Sequence, residues 1–117
     1  MSGNLNKREP FSRIKGMWIF AMFDLPVYNK AKRKEYSRFR KLLLCEGFSM
    51  LQYSVYARYC LSREKSAVFC KRIQGHLPSD GQVRLMHITD KQFSEMLVYY
   101  GRKRKKPEKK PEQLLLL

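Results

Sequence analysis

Asp24 is the residue best placed to do chemistry, because of what leads up to it. Met17-Trp18-Ile19-Phe20-Ala21-Met22-Phe23 is an unbroken apolar run; one carboxylate follows, then Leu25-Pro26. A carboxylate at the mouth of a buried, rigid strand is suited to holding a divalent cation with waters and a phosphate. Asp24 is also the only acid between Glu9 and Glu35. Alone it makes a poor metal site, since Mg²⁺ asks for an octahedral set of oxygens and phosphodiester-cleaving sites gather several carboxylates. A twofold axis near the strand end would pair Asp24 with its copy in a second chain. The competing reading is structural, with the aspartate capping the following turn through backbone N–H groups. His76 and His87 are weaker candidates, since neither has an acid near it in sequence to orient the ring, and a Ser/His/Asp arrangement has no support.

The run before Asp24 has strand length, well short of the ~18 apolar residues of a membrane span. Because its apolar character does not alternate, both faces are expected to be covered, as in a central strand. Leu25-Pro26 ends the ladder, since proline offers no N–H. A helix is then expected from Lys30 to Glu46, started by Asn29 or the turn at Tyr28. Its apolar stripe is Tyr36, Phe39, Leu42 and Leu43, and Gly47 stands where a left-handed cap belongs. Phe48 to Cys60 is rich in aromatic and β-branched residues but too long for one strand, and is split near Gln52 to Ser54. Ser62 caps a second helix, Arg63 to His76, with Ala67, Val68, Phe69, Ile73 and Leu77 as its buried side. Leu77-Pro78-Ser79-Asp80-Gly81 reads as a turn, and Val83, Leu85 and His87 alternate in the next strand. A helical turn at Asp90 to Glu95 and a short strand at Met96 to Tyr100 follow, with Gly101 ending the fold.

This order predicts an α+β, ferredoxin-like split βαβ domain, β-α-β-β-α-β plus a short terminal strand, over residues 17–101. Residues 1–16 read as a flexible N-terminal extension, and residues 102–117 as a basic, disordered tail ending in a leucine run. Two helices on one sheet face leave the other face to be covered. An RNA-binding version would carry a basic-aromatic motif on its central strands, but the first strand is too uniformly apolar. A homodimer packed through the sheets is the favoured answer.

Charge points to a polyanion. The 117 residues carry 25 Lys and Arg against 10 Asp and Glu, a net +15, of which the tail holds only +5. A folded part this basic implies nucleic acid before an anionic membrane. Arg33, Arg38 and Arg40 on the first helix, Lys71 and Arg72 on the second, and Arg102, Lys103 and Arg104 at the start of the tail are the candidate phosphate contacts. Cys45, Cys60 and Cys70 show no metal-ligand spacing and read as reduced, buried thiols; with no apolar leader in residues 1–15, a cytoplasmic protein is expected.

Taken together, Phe23-Asp24-Leu25-Pro26, the basic helix with Tyr36-Ser37-Arg38-Phe39-Arg40-Lys41-Leu42-Leu43, Gly47-Phe48, Gln52-Tyr53-Ser54-Val55-Tyr56, Leu77-Pro78 and Gly81-Gln82-Val83-Arg84 resemble the Cas2 family of CRISPR-associated proteins. The likeness is greatest to the versions found beside type II systems and covers about residues 16–101. It implies the ferredoxin-like homodimer and a role in spacer acquisition, in which the dimer bridges two dimers of the Cas1 integrase and holds duplex prespacer DNA. It also implies a metal site at the aspartate corresponding to Asp24, the basis on which family members are described as Mg²⁺-dependent endonucleases.

Two functions compete. In one, paired Asp24 carboxylates hold Mg²⁺ for phosphodiester cleavage of DNA or RNA; in the other, the dimer is a basic platform that binds phosphates without reading bases. The sequence leans to the platform, having ample positive charge but no general base and no second acid near Asp24. A toxin-like, RNA-cleaving endoribonuclease on the same fold is the alternative. The terminal leucines suit a groove on another protein such as the integrase, a strand added within the dimer, or plain disorder.

Overall fold

The strand Met17–Asp24 (β1) runs through the middle of the sheet, paired antiparallel on both sides. The computed structural model describes residues 16–111, so residues 1–15 of the expected N-terminal extension and the leucine run lie outside the described residues, while Gly16 is buried and its carbonyl accepts the Asp90 N–H at 3.0 Å. Following β1 come the helix Lys30–Cys45 (α1), strands Ser49–Gln52 (β2) and Val55–Cys60 (β3), and the helix Arg63–Gln74 (α2). The strand Gln82–Thr89 (β4), a short helix Asp90–Ser94 (α3), and strands Val98–Tyr100 (β5) and Lys103–Lys105 (β6) complete the order. Four strands form one sheet in the order β2-β3-β1-β4, and β5 and β6 form a separate hairpin. This is the ferredoxin-like arrangement expected from the pattern of apolar runs.

Local chemistry explains the element ends. The Asn29 side chain accepts the Lys32 N–H at 2.8 Å to start α1, and Ser62 accepts the Lys65 N–H at 3.2 Å to start α2. Gly47 takes φ +86° just after α1, the left-handed position that releases the chain toward β2. Between β2 and β3, Ser54 turns at φ 61° and its carbonyl accepts the Phe23 N–H at 3.1 Å, tying this turn to the end of β1.

Alternation along β1 sends its residues into two cores. Ile19, Ala21 and Phe23 face α1 and α2 and pack with Phe39, Leu43, Phe48, Tyr56 and Ile73. Trp18 and Phe20 face the other way, with Ala57, Tyr59 and Phe93. Both faces of β1 are therefore covered, and the second face is not bare within one chain. Phe93 on α3 lies flat on Trp18 at 3.8 Å and 9° between ring planes. The Trp18 indole donates to Asp90 at 2.9 Å, and Lys110 pairs with the same carboxylate at 3.6 Å. Residues 107–111 of the tail thus lie across this face.

Three expectations are corrected. The buried side of α2 is Ser66, Phe69, Cys70 and Ile73, while Ala67, Val68 and Leu77 are exposed. The true stripe has the same helical spacing, but it begins on a serine whose hydroxyl bonds to Arg63 O and to His87. Gly101 does not end the fold; it turns at φ 63° and sends Lys103–Lys105 back along β5. Backbone pairing makes this charged triplet a strand, although its side chains look like tail. Of the three free cysteines, Cys60 is buried and Cys70 partly so, but Cys45 is exposed at the end of α1.

Gly81 holds the turn before β4 against β1. It sits at φ +86°, and a Cβ there would come within 2.5 Å of the Asp24 carbonyl. Gly81→Ala is expected to lower stability by about 2 kcal/mol or more, combining left-handed strain with a backbone clash. Chemical denaturation checks this, and a loss under about 0.5 kcal/mol would show that the turn relaxes freely.

The same turn is latched to α1 by Ser79, whose hydroxyl and N–H donate to the Glu35 carboxylate, the hydroxyl at 2.6 and 2.7 Å. These bonds, the hydroxyl's first, hold the Glu35 carboxyl below its usual range. A carboxylate with a lowered folded pKa stabilises above its unfolded value and loses that contribution as pH falls through the folded value. Ser79→Ala should raise the Glu35 pKa toward 4.5 by NMR titration. It should also destabilise at neutral pH but not at pH values where Glu35 is protonated in both states.

Candidate nucleic-acid and phosphodiester site

Asp24 ends β1 on the face opposite α1 and α2. Register places it beside Gln82 on β4, with Met22 beside Arg84, so these four residues share one sheet face. The β2–β3 turn closes the other side. Together Met22, Phe23, Asp24, Tyr53, Ser54, Val55, Gln82 and Arg84 line a cleft of about 290 Å³. Asp24 is exposed within it, and among the described residues its carboxylate has no hydrogen-bond or ion-pair partner. The capping role is therefore not what the side chain does here. Arg84 donates to Gln82 Oε1 at 3.2 Å, which holds a cation at the same end of the sheet as the free carboxylate.

No group of three or more His, Cys, Asp and Glu side chains that would hold a metal occurs among the described residues. One carboxylate with a neighbouring amide does not fit the octahedral oxygen set that Mg²⁺ requires. The donor set of a single chain therefore does not fit the expected Mg²⁺, and it would need the carboxylate of a second copy.

The helix cations stand elsewhere. Arg33, Arg38 and Arg40 are exposed on α1, on the far side of the sheet from Asp24. At about 100° per residue, Lys30, Arg33, Lys34, Arg38, Arg40 and Lys41 span an arc of roughly 160° opposite the buried Phe39 and Leu43. No acid interrupts that arc. Arg33 also donates to Val27 O at 3.2 Å, which leaves other N–H groups outward. On α2, Lys71 is exposed, whereas Arg72 pairs with Glu46 at 3.0 Å and lies 5.4 Å from the Phe69 ring. Arg72 thus serves the α1–α2 contact first. Arg102 lies at the β5–β6 turn and Lys103 and Arg104 are on β6, all exposed. The expected residues therefore form two surfaces, a basic helix layer and a carboxylate cleft, rather than one site.

His76, His87, Cys60 and Cys70 belong to the fold. His76 Nδ1 donates to Arg72 O at 2.9 Å, at the end of α2. His87 lies 2.8 Å from the Ser66 hydroxyl and 3.5 Å from Cys70 Sγ. Burial raises the thiol pKa at Cys60 and at Cys70, so neither is a ready thiolate nucleophile at neutral pH. Tyr53, Gln82 and Arg84 were not singled out as site residues from sequence. Their only signal was membership in the segments that carry the family resemblance, because their convergence depends on strand register and on the folded turn.

A central antiparallel strand ending in a free carboxylate, in a basic ferredoxin-like domain, defines the class. A solved structure described as a crystal structure of Cas2 has this fold, with a TM-score of 0.54 at 21% identity, covering 80% of this chain and 97% of that one. The family described as "CRISPR associated protein Cas2" matches residues 17–96. The CRISPR-associated endoribonuclease Cas2 of Parvibaculum lavamentivorans is 50% identical over 100 residues, covering 86% of this chain and 99% of that protein. That of Flavobacterium psychrophilum is 46% identical over 105 residues, covering 90% of this chain and 91% of its own. The chain belongs to the Cas2 family of CRISPR-associated proteins.

Proposed function

We propose that this chain is a CRISPR adaptation protein that works in the cytoplasm as a homodimeric platform, bridging Cas1 integrase dimers and binding duplex prespacer DNA. The observation that carries this reading is the separation of the two surfaces. The uninterrupted basic arc of α1 lies on the outer side of the helix layer, free for phosphates, while Asp24 lies on the opposite sheet face. Packing two copies through that second face would leave both basic arcs outward, on opposite sides of the assembly. The second face also has apolar surface to bury. Phe20, Met22, Leu51, Met86, Met96 and Tyr99 line a hollow of about 560 Å³ beside the β5–β6 hairpin, and Met86 and Tyr99 are 43% and 56% exposed.

A second reading is phosphodiester cleavage at Asp24, in the manner that the relatives' name, endoribonuclease, suggests. It is favoured by the unpartnered carboxylate beside Arg84. In this reading Asp24 and its copy would hold Mg²⁺, which would supply charge neutralisation at a phosphate. A toxin-like role would need the same residues without any partner. Among the described residues no helix is long and apolar enough to cross a membrane.

Reconstitution tests the platform. Prespacer integration by the Cas1 integrase should depend on this chain, and sedimentation should show two copies of it per bridged complex. Integration that proceeds equally well without the chain would end the reading.

A further inference from the structure

We propose that Tyr53 is a stacking platform for an unpaired nucleobase at the mouth of the Asp24 cleft, giving the chain a single-strand grip separate from its duplex-binding helices. The inference rests on the nucleic-acid reading above, but on neither cleavage nor integration. Tyr53 is 74% exposed, yet it is not a loose surface side chain. Its ring stacks on Tyr36 at 6.3 Å and 21°, and Tyr36 meets Phe23 edge-on at 5.8 Å. Phe23 in turn is fixed in the core against Phe39 at 5.2 Å and Tyr56 at 5.6 Å. An aromatic ladder therefore runs from the helix-side core out to an exposed ring that lines the same cleft as Asp24. The backbone fixes the same place, through the left-handed Ser54 and its carbonyl bond to Phe23.

A ring ordered in advance gives up little freedom when a base stacks on it, and tyrosine provides a wide apolar face with few torsions to freeze. The rest of the cleft suits the nucleotide that such a base would belong to. Arg84 provides a cation for a phosphate, Gln82 an amide and Ser54 a hydroxyl, all lining the same cleft as Tyr53. A base paired within a duplex has both faces occupied by its neighbours, so the platform favours unpaired strands with little preference among bases.

Binding to the full chain in EDTA tests this without cleavage. The probes are a short single-stranded RNA carrying a fluorescent adenine analogue, its DNA twin, and a duplex. Tyr53→Ala should weaken both single strands about tenfold and quench the analogue less, while Tyr53→Phe behaves as the parent and duplex affinity stays within about twofold. Single-strand binding by Tyr53→Ala within about twofold of the parent would overturn the platform, as would an equal loss on duplex and single strand. If the parent binds none of the probes, the nucleic-acid reading itself fails and the platform falls with it.

Discussion

Phe93→Ala is expected to cost about 3–5 kcal/mol, a large fraction of the stability of a domain this size. The side chain is 1% exposed and lies flat on Trp18, with Phe20 at 5.7 Å. Removing it would leave a cavity between α3 and β1, with little near it able to collapse inward. It would also unseat Asp90, which the Trp18 indole and Lys110 both hold, and with it the segments that cover the second sheet face. Denaturant unfolding at one fixed protein concentration measures the loss, since a self-associating chain gains apparent stability with concentration. Phe93→Leu should recover most of the difference. A loss below about 1 kcal/mol for the alanine variant would mean that α3 is a surface attachment and not part of the core.

Replacing Arg33, Arg38 and Arg40 together by Gln should nearly abolish duplex binding at moderate salt. Each phosphate contact adds about 0.9 to the slope of log affinity against log salt. Between about 1 M and 0.1 M salt one contact is therefore worth roughly eightfold, and three roughly five-hundredfold. The three guanidiniums are exposed; Arg38 acts on Glu35 only through its charge and Arg33 holds Val27 O, so their loss should change stability little, relief of like-charge repulsion offsetting these surface contacts. Titrations at several salt concentrations should show the slope falling by about three, equally for any duplex sequence. An unchanged slope would move the duplex to another surface, with the exposed cations of β6 next in line.

Much of the fold was legible because its signals are local. The unbroken apolar run of β1, the Asn29 and Ser62 caps, Gly47 after α1 and the break near Ser54 each declare themselves within a few residues. What escaped depends on distant partners. Phe93 sits in the polar stretch Asp90-Lys91-Gln92-Phe93-Ser94, and only its contacts with Trp18 and Phe20, far away in sequence, show it to be core. Lys103–Lys105 reads as a charge run because side-chain chemistry says nothing of backbone pairing with β5. In the α2 stripe, Ser66 was passed over because a buried hydroxyl needs partners, which Arg63 and His87 provide only in the folded chain.

The candidate site divides in the same way. Asp24 was visible as the carboxylate that ends a buried strand, and the helix cations as a one-sided charge pattern. Strand parity, once the sheet is formed, places them on opposite faces, a relation that their positions along the chain do not state. Arg84, Gln82 and Tyr53 join Asp24 through register and the β2–β3 turn, so no spacing along the chain could have gathered them.

The most direct test of the platform compares Asp24→Ala with the parent for integration of a duplex prespacer by the Cas1 integrase, with dimerisation and folding checked alongside. Asp24 lies away from the basic helix layer and has no protein partner among the described residues, so its removal should leave the proposed duplex-binding surface intact. The account predicts integration at the parental level, with any Mg²⁺-dependent cleavage by the isolated protein lost. Loss of integration by a variant that remains a folded dimer would contradict it, and would make the Asp24 carboxylate part of the acquisition chemistry.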